Sequence, residues 1–285
     1  RVVKCSGKNG VEDWYDSVYD FVISLKHQGV IKDYNQVAFL CKSVKNDKVI
    51  NLIQYLEAMN IPVYSPRSEM FFTRPEVKEI LGCLIMCFPN YFLRLKTESF
   101  TYSYPVLYRY YREECVEAAQ KLIKAHKDLK KWYENILRNH SQLKSNTDYA
   151  FTGILYQLLE FEPFRGYVGI DIGSGVTDER AARNISILSA VLGKYEYLHR
   201  IEVFSEKNII SAPEIFFNMY MRFLFEGGIT EYEDDSEYAP SGCVSFMTIH
   251  QSKGMEFPVV MVDSLSAVPR TQSDGVIEEI EKKYF

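Results

Sequence analysis

The run Ser245–Val262, SFMTIHQSKGMEFPVVMV, constrains the fold of this chain more than any other. Ser245 to Ile249 are apolar and β-prone, and Phe257 to Val262 are almost continuously apolar. Continuous apolar runs of this length suit buried strands in a sheet covered on both faces, the habit of parallel sheets. Between them lies His250-Gln251-Ser252-Lys253-Gly254-Met255-Glu256. That loop gathers an imidazole, an amide, a hydroxyl, an ammonium and a carboxylate around one glycine. Loops at strand ends on a rigid α/β scaffold are where such domains carry their chemistry. The plain alternative is a solvated polar turn between two strands.

A second βα pattern lies near the other end. Gln36 to Cys41 (QVAFLC) predict a buried strand, and Lys42 to Asn46 a polar turn. Val49, Ile50, Leu52, Ile53, Leu56 and Met59 then fall at helical spacing. Asn60 to Tyr64 give a stop and a short strand. In FFTRPEVKEILGCLIMCFP, residues 71–89, Thr73 suits a cap and Pro75 the first helical turn, while Glu76 and Glu79 suit its positive end.

The intervening residues have a helix-only character. Val116 to Leu137 carry an apolar stripe that predicts one helix, with Lys121, Lys124, Lys127, Lys130, Lys131 and Arg138 on the other face. Glu179 to Tyr195 predict another, capped by Thr177 or Asp178, and Glu214 to Phe225 a third, opened by Pro213. The expectation is an α/β domain with a mostly parallel sheet and helices on both faces. It is split in sequence: 1–90 and 242–285 form the sheet domain, and 91–241 a mainly α-helical inserted subdomain.

The loop resembles a motif of UvrD/Rep-like superfamily 1 DNA helicases, T-x-H-x-x-K-G-x-E-F-P, which sits in their second RecA-like domain. Thr248, His250, Lys253, Gly254, Glu256, Phe257, Pro258 and Val259 match in order. Phe71, Phe72, Arg74, Glu76, Val77 and Lys78 match a second family element, F-F-x-R-x-E-[IV]-K. The resemblance implies a RecA-like (P-loop NTPase-type) sheet interrupted by a helical insert. It implies that Thr248 and His250 face single-stranded DNA, with Lys42 and Lys253 beside them, and that Gly254 and Glu256 face ATP. Lys42 stands where many relatives carry arginine, and a lysine cannot make the arginine's forked contact.

By the same resemblance, the parent would be an ATP-dependent DNA helicase acting in DNA repair or recombination. It would use ATP and Mg2+, single-stranded and junction DNA, and an N-terminal RecA-like domain of its own chain. A helicase subunit of an AddAB/RecBCD-type helicase-nuclease shares these motifs. A non-catalytic interaction module of the same fold is the reading from another class. No G-x-x-x-x-G-K-[ST] phosphate loop and no strand ending in an acidic pair occurs in the sequence. The fragment alone is therefore expected to bind no cofactor and to be inactive as an ATPase, with no catalytic residue of its own.

Bulk properties agree with a globular domain. The chain has 285 residues, of which 47% are hydrophobic, and a net charge of −5 argues against a uniformly basic nucleic-acid binder. Charge is segregated, with 7 Lys and Arg in residues 121–144 and 6 acids in 226–237. The basic face fits either solvent or a phosphate backbone. Likewise, the aromatic and arginine residues of 88–112 fit either packing or single-strand stacking. No apolar run is long enough for a membrane helix, no secretory signal is evident, and reduced cytoplasmic thiols are expected. A start at Arg1 suggests an excised fragment. Six cysteines include Cys83 and Cys87 within one predicted helix, without a second ligand pair for zinc. Gly169 to Thr177 (GIDIGSGVT) resembles the first phosphate loop of actin/Hsp70-like ATPases, and Ser6 to Gly10 a P-loop, but neither has the right context or spacing.

Overall fold

Residues from the two ends of the chain meet in one sheet. The computed structural model describes residues 11–65, 71–97, 105–169, 180–227 and 241–263. Strands β1 (Val37–Cys41), β2 (Val63–Tyr64), β3 (Val244–Thr248) and β4 (Val259–Val262) pair in the order β2–β3–β1–β4. Every pairing is parallel. The described residues are thus mixed α/β with a four-stranded parallel sheet and a majority of helices.

Partners in a parallel ladder point to the same side, so the register sorts the two faces. Val37, Phe39, Val63, Val244, Phe246, Val259 and Met261 share one face. The apolar cluster on that face also holds Val18 and Val22 of helix α1 (Val11–His27) and Val49, Leu52, Ile53 and Leu56 of α2 (Asp47–Ala58). Phe39 and Phe246 stack at its centre, with ring centroids 4.8 Å apart. Both helices therefore lie on one side of the sheet, whereas helices on both faces were expected. The opposite face is closed at Ala38, Ser245 and Met247 but open over β4, where Val260 is 46% and Val262 36% exposed. The Phe257–Val262 run was expected to be covered on both faces. Among the described residues it is an edge strand, paired only with β1 and covered on one face. Valine and methionine on both sides of the strand hide that alternation in the sequence.

A second apolar cluster holds the remaining helices together, from Phe71 to Met221. It contains α3 (Pro75–Met86), α4 (Pro89–Lys96), and a long helix made of α5 (Pro105–Arg109), a π-helical segment (Tyr110–Val116) and α6 (Glu117–Ala125). It continues through α7 (Lys127–Ser141), α8 (Phe151–Leu158), α9 (Glu162–Val168) and α10 (Arg180–His199). The last helix runs from α11 (Ser211–Ile215) through a second π-helical segment (Phe216–Tyr220) into α12 (Met221–Gly227). By packing, this body begins at Phe71 rather than at residue 91, because α3 buries both its faces among helices. Gly82 permits that: a Cβ there would lie 2.0 Å from the Cys115 carbonyl oxygen.

Two local expectations differ from the structure. The helix expected over Val116–Leu137 is broken at His126, whose φ of −115° and ψ of 110° are extended. Neither glycine nor proline marks the break, and the apolar spacing runs across it undisturbed. Helix α3 starts with Arg74 rather than Thr73 at the cap, because Phe71–Thr73 form a separate 3₁₀ turn. No described helix is long and apolar enough to cross a membrane.

The two apolar clusters are joined by charge. Glu57 of α2 accepts hydrogen bonds from Arg74, at 2.5 Å, and from Arg180, also at 2.5 Å. Arg180 donates in addition to the Val63 carbonyl of edge strand β2. Deeper in the helices, Asn184 donates to the buried Glu76 carboxylate at 2.8 Å.

Candidate functional site

The carboxyl edge of a parallel sheet is where its loops meet. Here β1 and β3 are neighbours with Cys41 opposite Thr248, and the ladder continues with the Ile249 amide donating to the Cys41 carbonyl at 3.2 Å. Lys42 leaves β1 at the point where Ile249 and His250 leave β3. Two segments far apart in the sequence, Lys42–Asn46 and Thr248–Gly254, thus share one edge, and the chain then returns past Glu256 to enter β4 opposite Val37, at the other end of β1. The joint is reinforced by the Cys41 thiol, which donates to the Met247 carbonyl at 3.4 Å across 206 positions. Burial, above all, pushes that thiol up to about 11, so it stays protonated at neutral pH.

The loop after β3 is folded by its own polar groups. The Thr248 amide donates to Gln251 Oε1 at 2.8 Å, and the Gln251 amide donates to Thr248 Oγ1 at 3.3 Å. This reciprocal pair is a capping box, which satisfies two amides at the start of a helical turn. The turn follows directly: the Ser252 amide donates to the Thr248 carbonyl at 3.1 Å, and the Ser252 hydroxyl to the Ile249 carbonyl at 3.0 Å. Gly254 ends it with φ +87°, a left-handed conformation that favours glycine.

The outcome is a short turn with functional groups outward. His250, Lys253, Gly254, Glu256 and, on the neighbouring loop, Lys42 are all exposed. Among the described residues, the side chains of Lys42, His250, Lys253 and Glu256 take part in no hydrogen bond or ion pair. Thr248 is half-buried and spends its hydroxyl on the cap. The edge therefore offers two ammonium groups and an imidazole able to meet phosphates or bases. Beside them is an open backbone at Gly254, around which a Cβ would meet nothing within 4 Å, and the connection from there to β4 carries the exposed Glu256 carboxylate, able to accept from hydroxyls. Gln251 was absent from the expected site residues. Its signal was present in the sequence as the T-x-x-Q spacing of a capping box.

The other candidates divide between core and surface. In the FFTRPEVK element, Phe71, Phe72 and Val77 are core, Arg74 and Glu76 are buried in the polar contacts above, and Lys78 pairs with Glu114 at 2.7 Å. Within 88–112, Tyr91, Tyr108, Tyr110 and Tyr111 are buried, and Tyr91 and Tyr111 donate to Asn218 and to the Phe217 carbonyl. Arg94 pairs with Glu214. These four rings are packing, not a stacking platform; Tyr102 and Tyr104 of the same stretch lie outside the described residues. The lysines of α6 and α7 are exposed. Cys83 and Cys87 are buried in the helical core, and burial raises both thiols above their ordinary value. Residues 1–10 and 170–179, which hold the two look-alike phosphate loops apart from Gly169, lie outside the described residues. Neither a scan against protein-family models nor a search of curated proteins finds a match to this chain.

Proposed function

We propose that this chain is the second RecA-like domain, with its helical insert, of an ATP-dependent DNA helicase of the UvrD/Rep type. The observation that carries the reading is the in-register pairing of β1 with β3, which brings the Lys42 loop and the capped Thr248–Gly254 turn to one carboxyl edge, with Glu256 following on the same connection. A DNA contact and a nucleotide contact on one short loop are what coupling requires, because movement at either end is felt at the other.

In this reading His250 and Lys253 meet single-stranded DNA, with Lys42 adding charge from the neighbouring loop. The imidazole stacks on a base or donates to a phosphate, and each ammonium lowers the cost of gathering phosphates. Glu256 and Gly254 form one wall of an adenine nucleotide site. Their chemistry fits the group: the carboxylate is exposed and accepts from ribose hydroxyls, and the glycine allows close backbone approach. ATP with Mg2+ supplies, when bound, the phosphoanhydride whose hydrolysis drives the opening and closing of a cleft between two RecA-like domains. The phosphate loop, the magnesium ligands and the arginine finger come from other parts of the parent. This chain by itself is therefore expected to show no DNA-stimulated ATPase.

The test is a pair of substitutions in the full-length protein. Glu256→Gln should weaken nucleotide binding by about tenfold, the worth of one charge-assisted hydrogen bond at an exposed site. His250→Ala should leave nucleotide affinity nearly intact, weaken single-strand binding by about tenfold and blunt DNA stimulation of turnover. Equal losses of both ligands in both variants, or losses tracked by a lower melting temperature, would refute the division of labour.

A further inference from the structure

We infer that Gln251 positions His250 for single-strand binding by holding the 248–254 turn in shape; the inference rests on the helicase reading of this loop. The turn has little apolar anchorage. Ile249 is 53% exposed, Gly254 has nothing near it, and the loop's charged side chains face outward. Its shape is therefore decided by hydrogen bonds, and Gln251 takes part in both bonds of the capping box, one through its side chain and one through its backbone. Its Oε1 takes the Thr248 amide at 2.8 Å, while its own amide is taken by Thr248 Oγ1 at 3.3 Å. An alanine at 251 keeps the second bond and loses the first, leaving the amide at the end of β3 without its acceptor.

His250 lies inside this ring of bonds, two residues after Thr248 and one before Gln251. The imidazole makes no bond of its own to another described residue, so its direction is inherited from the backbone of the turn. When the cap opens, His250 spends part of its time pointing elsewhere, and affinity falls in proportion to the fraction of turns still in the binding shape. Gln251 half-buries its side chain against the turn it closes, and it acts on DNA only through its neighbour.

The test is a double-mutant cycle in the full-length protein. The affinity of a fluorescein-labelled oligothymidylate is measured by anisotropy for the parent, Gln251→Ala, His250→Ala and the double variant. Amide hydrogen exchange of the 248–256 peptide and a melting curve are taken for each. The expected result is that Gln251→Ala weakens binding about fivefold, within the range that loss of a helix cap supports. The same change should cost nothing further in the His250→Ala background, exchange of the loop should rise, and the melting temperature should hold. Losses that multiply in the double variant would overturn the proposal, since Gln251 would then act independently of His250. Unchanged exchange in Gln251→Ala would overturn it too, since the cap would not be holding the turn. Weakened binding in His250→Ala with none in Gln251→Ala overturns the proposal alone. Unweakened binding in both overturns it together with the DNA role of the loop.

Discussion

Two glycine-to-alanine changes test the close packing of the helical body, because the same chemistry should have opposite signs at two sites. Gly82 lies inside α3 and Gly166 inside α9. In a helix interior, alanine is favoured over glycine by about 1 kcal/mol, so both changes begin with the same gain. At Gly166 a new Cβ meets nothing within 4 Å, and the gain should survive as about 0.5–1 kcal/mol of added stability. At Gly82 the new Cβ lands 2.0 Å from the Cys115 carbonyl oxygen, 2.6 Å from its carbon and 2.8 Å from the Ala119 Cβ. The first two obstacles are backbone, which has no rotamer to escape into. Helix α3 and the helix over 105–125 must separate by more than about 1 Å, which also loosens the contacts around the new methyl.

Overpacking of this kind costs about 1–3 kcal/mol, and the rigid obstacle puts Gly82 at the upper end. After the helix-propensity gain, Gly82→Ala should lose about 2 kcal/mol. In a chain of this size that is a fall of about 4–8 °C in melting temperature, against a small rise for Gly166→Ala. Urea melts with a fixed m-value, backed by thermal melts, measure both. A Gly82→Ala variant as stable as the parent would mean that α3 does not approach the 105–125 helix as closely as described, and the reasoning would fail.

Charge joins the two apolar clusters, so Glu57→Gln should destabilise the protein by about 2–3 kcal/mol, leaving the buried Arg74 with a weaker acceptor; a denaturant midpoint equal to the parent's would count against that joint. His140 supplies a pH dependence. Its Nδ1 lies 2.7 Å from the Cys87 carbonyl and its Nε2 3.2 Å from the Tyr149 hydroxyl, between Phe88 and Phe204. Burial holds its pKa below the ordinary histidine value, so the unfolded chain takes up the proton first. Stability conferred by the neutral ring is full above about pH 6.5 and is lost as pH falls towards the folded value. Urea midpoints at pH 7.5, 6 and 5 should therefore drop more steeply in the parent than in His140→Gln, and parallel slopes would refute the assignment.

Much of the sheet was legible because strands announce themselves by apolar runs between turn residues. Val37–Cys41, Val63–Tyr64 and Val244–Thr248 stand within a residue or two of where QVAFLC, IPVY and SFMTI put them. Exposure of β4 was not legible, since VVMV gives both faces the same chemistry and coverage is decided by neighbours elsewhere in the chain. The break at His126 was hidden for a related reason: one extended residue between two helices leaves the apolar spacing unchanged. Helix α1 was not among the expected elements, although its Trp14, Val18, Val22 and Leu25 fall at helical spacing on the side facing the sheet and carry the same signal as α2. At the site, the outward residues could be read from the order of a polar loop. The Thr248–Gln251 box is a hydrogen-bond pattern, and only geometry reveals that both halves are closed at once.

A site assembled from two loops so far apart in sequence is only as reliable as the register of the strands beneath them. Slipping β3 by one residue against β1 would turn Phe246 away from Phe39 and carry His250 to the other side of the edge, because strand side chains alternate faces. Three contacts at different heights oppose that slip. At the amino edge, the Gly242 amide donates to Asp33 Oδ1 at 2.9 Å, and the same aspartate caps the turn before β1. In the middle, Phe39 and Phe246 stack almost parallel, with 9° between their planes. At the carboxyl edge, the Cys41 thiol reaches the Met247 carbonyl. The first ties the two strand entries, the second is apolar and orientation-sensitive, and the third is buried and protonated. The relation between Lys42 and the capped turn is therefore set by residues that never touch a ligand. Asp33 is the most exposed of them to mutation, because its single carboxylate orders the approach to both strands.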